Sequence, residues 1–181
     1  RVEEKGLSEN TLVVFVTDNG WIQDPNVPNK YVEGSKQAPQ DMGIRTPIIY
    51  KWPGKIKPKM DHSNLTSSID MAVTTMAAVG LDPLPDMQGI NIMDKKALKK
   101  RKVIYSQDCA HDMKGVNGKE ETLESRILIT SPWKIIVPGV ANKDTQEVLL
   151  YDILKDPLEE NNLADKHPEV VKKLTASLDN W

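Results

Sequence analysis

Two stretches of this sequence carry residues whose types and spacing suit chemistry. The first is Asp18-Asn19-Gly20, which closes the apolar run Thr11 to Thr17. Asn-Gly after an apolar run is a strong turn signal, and a tight turn is one reading. Position offers another. A buried parallel strand delivers the residues at its carboxyl end to the crevice where open α/β sheets bind ligands. An Asp carboxylate beside an Asn carbonyl supplies hard oxygens of the kind calcium or magnesium prefers. Calcium takes about six to eight such oxygens, so the remaining ligands must come from elsewhere. The second stretch holds Lys36, followed by Asp41, Gly43, Arg45 and Pro47. A lone loop lysine is commonly a solvated charge. Its functional alternative is an ammonium aimed at an anion near the metal. Arg45 reads as a tie that holds the loop by hydrogen bonds, with a forked anion contact as the other option.

These residues need elements to hold them. The run Thr11-Leu-Val-Val-Phe-Val-Thr17 predicts a strand buried on both faces, as in a parallel sheet. Residues 21–47 lack periodicity, hold Pro25, Pro28, Pro39 and Pro47, and read as a long loop of the functional kind. Ile48-Ile49-Tyr50 predicts a second short strand, ended by Trp52-Pro53-Gly54. Ile69, Val73, Met76 and Ala77 recur at helical spacing and predict a helix over 67–79, with Ser67 as cap and Gly80 as stop. The basic run Lys95 to Lys102 reads as a solvated connector. Beyond it, Val103–Tyr105, Arg126–Ile129, Trp133–Val137 and Val148–Tyr151 predict short antiparallel strands. Val170, Val171, Leu174 and Leu178 predict a helix over 168–178, with Pro168 in its first turn. Residues 1–94 thus read as the end of an α/β domain and 95–181 as a small α+β subdomain. Trp52, Trp133 and Tyr151 read as core anchors, and His62 and His167 as surface residues without a role.

Composition narrows the function classes. The 181 residues hold 24 basic and 26 acidic side chains for a net charge of −2, so nothing drives general binding to nucleic acid or an anionic membrane. Hydrophobic residues at 39% fit a globular chain with a core. No apolar run approaches the roughly 20 residues of a membrane span. The single cysteine, Cys109, cannot form an internal disulfide. The chain begins at Arg1 without methionine and reads as a fragment or a processed product.

Four stretches, taken in order, resemble the C-terminal part of the formylglycine-dependent sulfatases, most closely the bacterial arylsulfatase A type. Thr11 to Gly20 is similar to the family's metal-binding strand end. Lys36-Gln-Ala-Pro-Gln-Asp-Met-Gly-Ile-Arg-Thr-Pro47 resembles its lysine loop, K-x-x-x-x-E-G-G-x-R-x-P. Trp52 to Pro58, followed by Ser68-Ile69-Asp70, resembles the next strand, turn and helix. Leu150 to Ala164 resembles the closing L-Y-D-L-x-x-D-P-x-E-x-x-N-L-A. The resemblance implies an alkaline-phosphatase-like α/β fold with a small antiparallel α+β subdomain. It implies sulfate ester hydrolysis, with Asp18 and Asn19 on calcium (or magnesium) and Lys36 on the sulfate as catalytic and substrate-binding residue. His111 and Asp112 have two readings: a pair that holds a turn, or a leaving-group histidine with a carboxylate that orients it or contacts a sugar. The implied substrate is a sulfated glycan or small aryl ester, and the implied location is export, to periplasm, cell surface or lysosome.

Departures from the family pattern shape the expectation. Neither C-x-P-x-R nor S-x-P-x-R, where the formylglycine nucleophile is made, occurs in the sequence. The nucleophile, and the generating enzyme that acts on it, belong to an upstream part, so these residues alone are expected to be inactive. Asp41 stands where the family has Glu, and Met42 where it has Gly, which predicts an altered loop backbone because Gly alone adopts positive φ freely. Two other functions remain open: a phosphodiesterase or phosphonate hydrolase of the same superfamily, and a non-catalytic remnant or binding module. Asn64-Leu65-Thr66 fits a glycosylation pattern that matters only in a eukaryotic secretory setting.

Overall fold

A computed structural model describes residues 1–110, 119–143 and 145–181. In chain order the elements are β1 (Val13–Val16), α1 (Asp41–Ile44), β2 (Ile48–Lys51), α2 (Asp70–Ala78), α3 (Lys95–Lys100), β3 (Ile104–Cys109), α4 (Lys119–Thr122), β4 (Leu123–Thr130), β5 (Trp133–Pro138), β6 (Leu149–Asp152) and α5 (Pro168–Asp179). They form two compact units, one of residues 1–18 and 46–102, the other of 19–45 and 103–181. This grouping differs from a cut at 94/95 in two ways: the loop that carries Lys36 packs with the C-terminal sheet, and the basic run stays with the first unit.

In the first unit β1 pairs with β2, antiparallel, with Val13 opposite Lys51 and Val16 opposite Ile48. The expected strand buried on both faces of a parallel sheet is not what forms among the described residues. Burial alternates along β1, and Val13, Phe15 and Ile49 share an exposed face. The buried hub of this unit is Asp70, 1% exposed. Its Oδ2 accepts from the Ser67 N–H at 2.8 Å and its Oδ1 from the Ile90 N–H at 2.9 Å. Arg101 Nη1 lies 2.6 Å from Oδ2. Asp70 rather than Ser67 therefore secures the start of α2: a carboxylate in the first turn reaches back to a free N–H. Gly80, at φ +78°, ends the helix as expected. The basic run is not a mere connector. Asp94 caps α3 through the Lys96 N–H, Leu98 is buried, and Arg101 joins the Asp70 hub.

In the second unit β3-β4-β5-β6 form the expected antiparallel sheet, in sequence order. Its register places Ile127 opposite Ile136 and Ile135 opposite Leu150. Period-2 alternation sends the two sets of side chains to opposite faces. On one face Leu128, Ile135 and Leu150 pack against Leu174 and Leu178 of α5, with Trp133 and Val137 at the margin. On the other, Ile127, Ile136 and Tyr151 pack with Ile44 of α1. The closing motif folds as a clasp of side chains on backbone. Asn162 Oδ1 accepts from the N–H groups of Leu150 and Ala164, and Asp156 accepts from those of Glu160 and Asn161.

Leu178 is 2% exposed at the centre of the α5 contact. Leu178→Ala is expected to lower the unfolding free energy by about 2–5 kcal/mol. A denaturant titration with unchanged slope checks it, and a shift near zero would mean that α5 does not close the core.

Candidate functional site

Asp18 closes the first segment of the first unit after β1, whereas Asn19 and Lys36 belong to the second unit, Lys36 in the loop that ends at α1. Asp18 is exposed and has no ion pair among the described residues. The Asn19 side-chain nitrogen donates to the Gly20 carbonyl. Its oxygen takes no hydrogen bond from a described residue, so both side chains keep the hard oxygens a calcium ion requires. Two oxygens do not complete a site. Among the described residues no cluster of three or more His, Cys, Asp or Glu gathers to hold a metal.

Gly20 and Gly43 fix this part of the second unit. The Gly20 N–H donates to the Gly43 carbonyl at 2.7 Å. A Cβ on Gly20 would overlap the Met42 carbonyl, and one on Gly43 would overlap the carbonyl oxygens of Ser35 and Ala38. The loop thus coils round a residue that can carry no side chain, with Lys36 between its two points of closest approach. Met42 sits within α1 and is not among the positive-φ residues, so its position does not demand the φ that Gly alone adopts freely. The positive φ falls instead on Gln37, at +57°. Its side-chain oxygen accepts from Tyr31 Oη at 2.7 Å, which holds the turn.

Lys36 has no carboxylate partner among the described residues. Its Nζ rests 5.3 Å from the centre of the Trp21 ring, and Tyr31 meets the same ring edge-on at 5.3 Å. Trp21 is 46% exposed, so solvent and solute reach this cluster. Arg45 Nη1 pairs with Asp41 Oδ2 at 3.2 Å within α1, the tying role expected of it. His111 and Asp112 lie outside the described residues. Before them, burial pushes the Asp108 carboxyl up, and the charge of Glu124 adds to the shift.

Trp21, Tyr31, Lys134 and Glu159 escaped the reading from sequence. Trp21 follows the Asp-Asn-Gly turn directly, and Glu159 stands in the quoted closing motif. Lys134 interrupts the apolar run Trp133–Val137, a signal that an inward-facing charge needs a partner.

Gly43→Ala is expected to speed amide exchange across residues 35–45 while β4 and β5 keep their protection. Unchanged exchange in the loop would show that the close approach does not constrain it.

Residues 35–181 match the family described as N-sulphoglucosamine sulphohydrolase, C-terminal. The chain is 29% identical to the N-acetylgalactosamine-6-O-sulfatase of Bacteroides thetaiotaomicron, covering 96% of this chain and 37% of that protein. It is 27% identical to human arylsulfatase A, covering 96% and 38%. The solved 4S-sulf protein of glycosaminoglycan metabolism in Bacteroides thetaiotaomicron superposes with a TM-score of 0.72 at 24% identity, covering 96% of this chain and 37% of that one. The chain spans somewhat over a third of the length of these relatives. On the match over residues 35–181, this chain belongs to the family of sulfatase C-terminal regions.

Proposed function

We propose that this chain is the C-terminal part of a sulfatase that hydrolyses a sulfate ester, with a sulfated glycan as substrate class. The observation that carries the reading is Lys36: a cation without a carboxylate partner among the described residues, held at a solvent-reached cluster beside the Asn19-Gly20 turn. A sulfate ester spreads negative charge over several oxygens, so preorganised cationic groups dominate its catalysis. Lys36 binds one of those oxygens and gains strength as charge builds toward the transition state. Asp18 and Asn19 would hold calcium through two oxygens, with further ligands from the rest of the protein. Bound there, calcium would supply Lewis acidity toward the sulfate, and an upstream formylglycine, made by its generating enzyme, would supply the nucleophile. His111 with Asp112, outside the described residues, keeps the leaving-group role that the family resemblance implies. The glycan class follows the printed name of the N-acetylgalactosamine-6-O-sulfatase, and export to periplasm or cell surface follows the same family reading. In chain order residues 1–94 would continue the catalytic domain and 95–181 form its closing subdomain, a division that the two packing units cross at 19–45 and 95–102. Among the described residues no helix is long and apolar enough to cross a membrane.

A lysine about 4 Å from a sulfate oxygen, at an effective dielectric near 20, interacts by roughly 4 kcal/mol. If that interaction develops in the transition state, its loss costs about a thousandfold in rate. In the full-length protein, Lys36→Ala is therefore expected to lower kcat/KM for a sulfate ester by about 10²- to 10³-fold. Removal of divalent ions by a chelator is expected to abolish turnover, and calcium to restore it. An unchanged rate for Lys36→Ala sinks the assignment. Faster turnover of the matched phosphate ester redirects it to a phosphoryl hydrolase.

A further inference from the structure

The second unit buries an ion pair that sheet packing does not require. Lys134 lies in β5, and its side chain and that of Glu159 are 0% and 1% exposed. Lys134 Nζ lies 2.8 Å from Glu159 Oε1. It also donates to Oε2 at 3.1 Å, and Oε2 accepts a second hydrogen bond from the Asp41 N–H at 3.1 Å. Burial pushes the Glu159 carboxyl up and the Lys134 ammonium down, and each partner's charge opposes the other's shift. Glu159 holds φ +57°, a left-handed conformation disfavoured for any residue with a side chain. The same face is lined by Ile127, Ile136 and Tyr151. Apolar residues of similar volume would fill such a place with equal or better stability.

What the pair adds is an acceptor. Gln40, at the N-cap of α1, makes no side-chain capping bond, so among the described residues the Asp41 N–H has Glu159 as its acceptor. Asp41 opens the helix whose Gly43 carbonyl receives Gly20 and whose Gly43 Cα receives the loop on either side of Lys36. We infer that Glu159, with Lys134 as its buried counter-ion, is a positioning residue: it caps α1 from 118 positions away and thereby holds the Lys36 loop in place. The tether stands on geometry alone; its link to turnover rests on the sulfatase reading.

Two double variants of the full-length protein isolate the acceptor. Both Lys134→Met/Glu159→Gln and Lys134→Met/Glu159→Met bury a neutral pair. Only the Gln variant keeps an oxygen for the Asp41 N–H. Amide exchange over residues 37–45 is expected to be at least about tenfold faster in the Met variant, with β4 and β5 alike in the two and melting midpoints within about 4 °C. Its kcat/KM on a sulfate ester is expected to fall at least about tenfold below that of the Gln variant. A third variant guards against misfolding. Asp41→Pro removes the N–H at a position where a helix tolerates proline and leaves the ion pair whole. It is expected to loosen the same segment relative to Asp41→Ala. Equal exchange within both comparisons overturns the tether, and faster exchange with equal turnover overturns its link to Lys36. An unmodified protein inactive on sulfate esters overturns the sulfatase reading, while the exchange comparison still decides the tether.

Discussion

Two charges buried in the second unit constrain everything placed near them. Lys134 and Glu159 have left water, so each must keep the other ionised or go neutral. Breaking such a pair by removing one partner costs about 3–5 kcal/mol, because a lone charge stays behind. That penalty is a large part of the roughly 5–15 kcal/mol that holds a typical domain folded. The pair also draws together three segments far apart in the chain: β5, the turn after β6, and the start of α1. Lys134 of the sheet thus reaches both oxygens of one carboxylate, and Oε2 also takes the loop's Asp41 N–H.

The sheet makes this possible because it is covered on both faces. On one side α5 lays Leu174 and Leu178 over Leu128, Ile135 and Leu150. On the other, Ile44 packs with Ile127, Ile136 and Tyr151. Each fully buried aliphatic side chain contributes about 1.5–3 kcal/mol, enough in sum to offset the desolvation of one ion pair. A half-solvated sheet would leave Lys134 at a wet surface, where a salt bridge is worth about 0–1 kcal/mol and could not hold a loop.

Much of this architecture is legible in the sequence because it follows local patterns. Short strand-like runs between turns mark β4 and β5, helical spacing marks α2 and α5, and Gly80 marks a helix end. The lysine loop and the closing motif could be named from their residue types. What joins them could not, since the hydrogen bond from Asp41 to Glu159 spans 118 positions and no periodicity encodes it. Polarity misled in three places. The run Lys95–Lys102 looked like a solvated connector, yet Arg101 is drawn inward by the buried Asp70 carboxylate. Met42 looked like a backbone disturbance, yet a four-residue helix accepts it readily. Thr11–Thr17 reads as a strand covered on both faces, yet among the described residues β2 is its only neighbour. Burial on a sheet face depends on neighbours, and neighbours are not written in the strand itself.

The same weighing of magnitudes explains how Lys36 can be both held and available. A cation over an aromatic ring at a solvent-exposed site gains about 0.5–1 kcal/mol. That gain does not exceed the rotamer freedom of a free lysine, worth up to about 2 kcal/mol, so it biases the ammonium toward Trp21 without fixing it. It is less than the roughly 4 kcal/mol that a sulfate oxygen at about 4 Å would offer. An arriving anion therefore wins against the ring. A carboxylate in place of Trp21 would compete with the anion on nearly equal terms and hold the lysine back. An aromatic neighbour costs the site almost nothing when substrate binds. The strained backbone at Gln37, φ +57°, fits the same arrangement, because the stiffness lies in the turn beside Lys36 and leaves the side chain itself mobile.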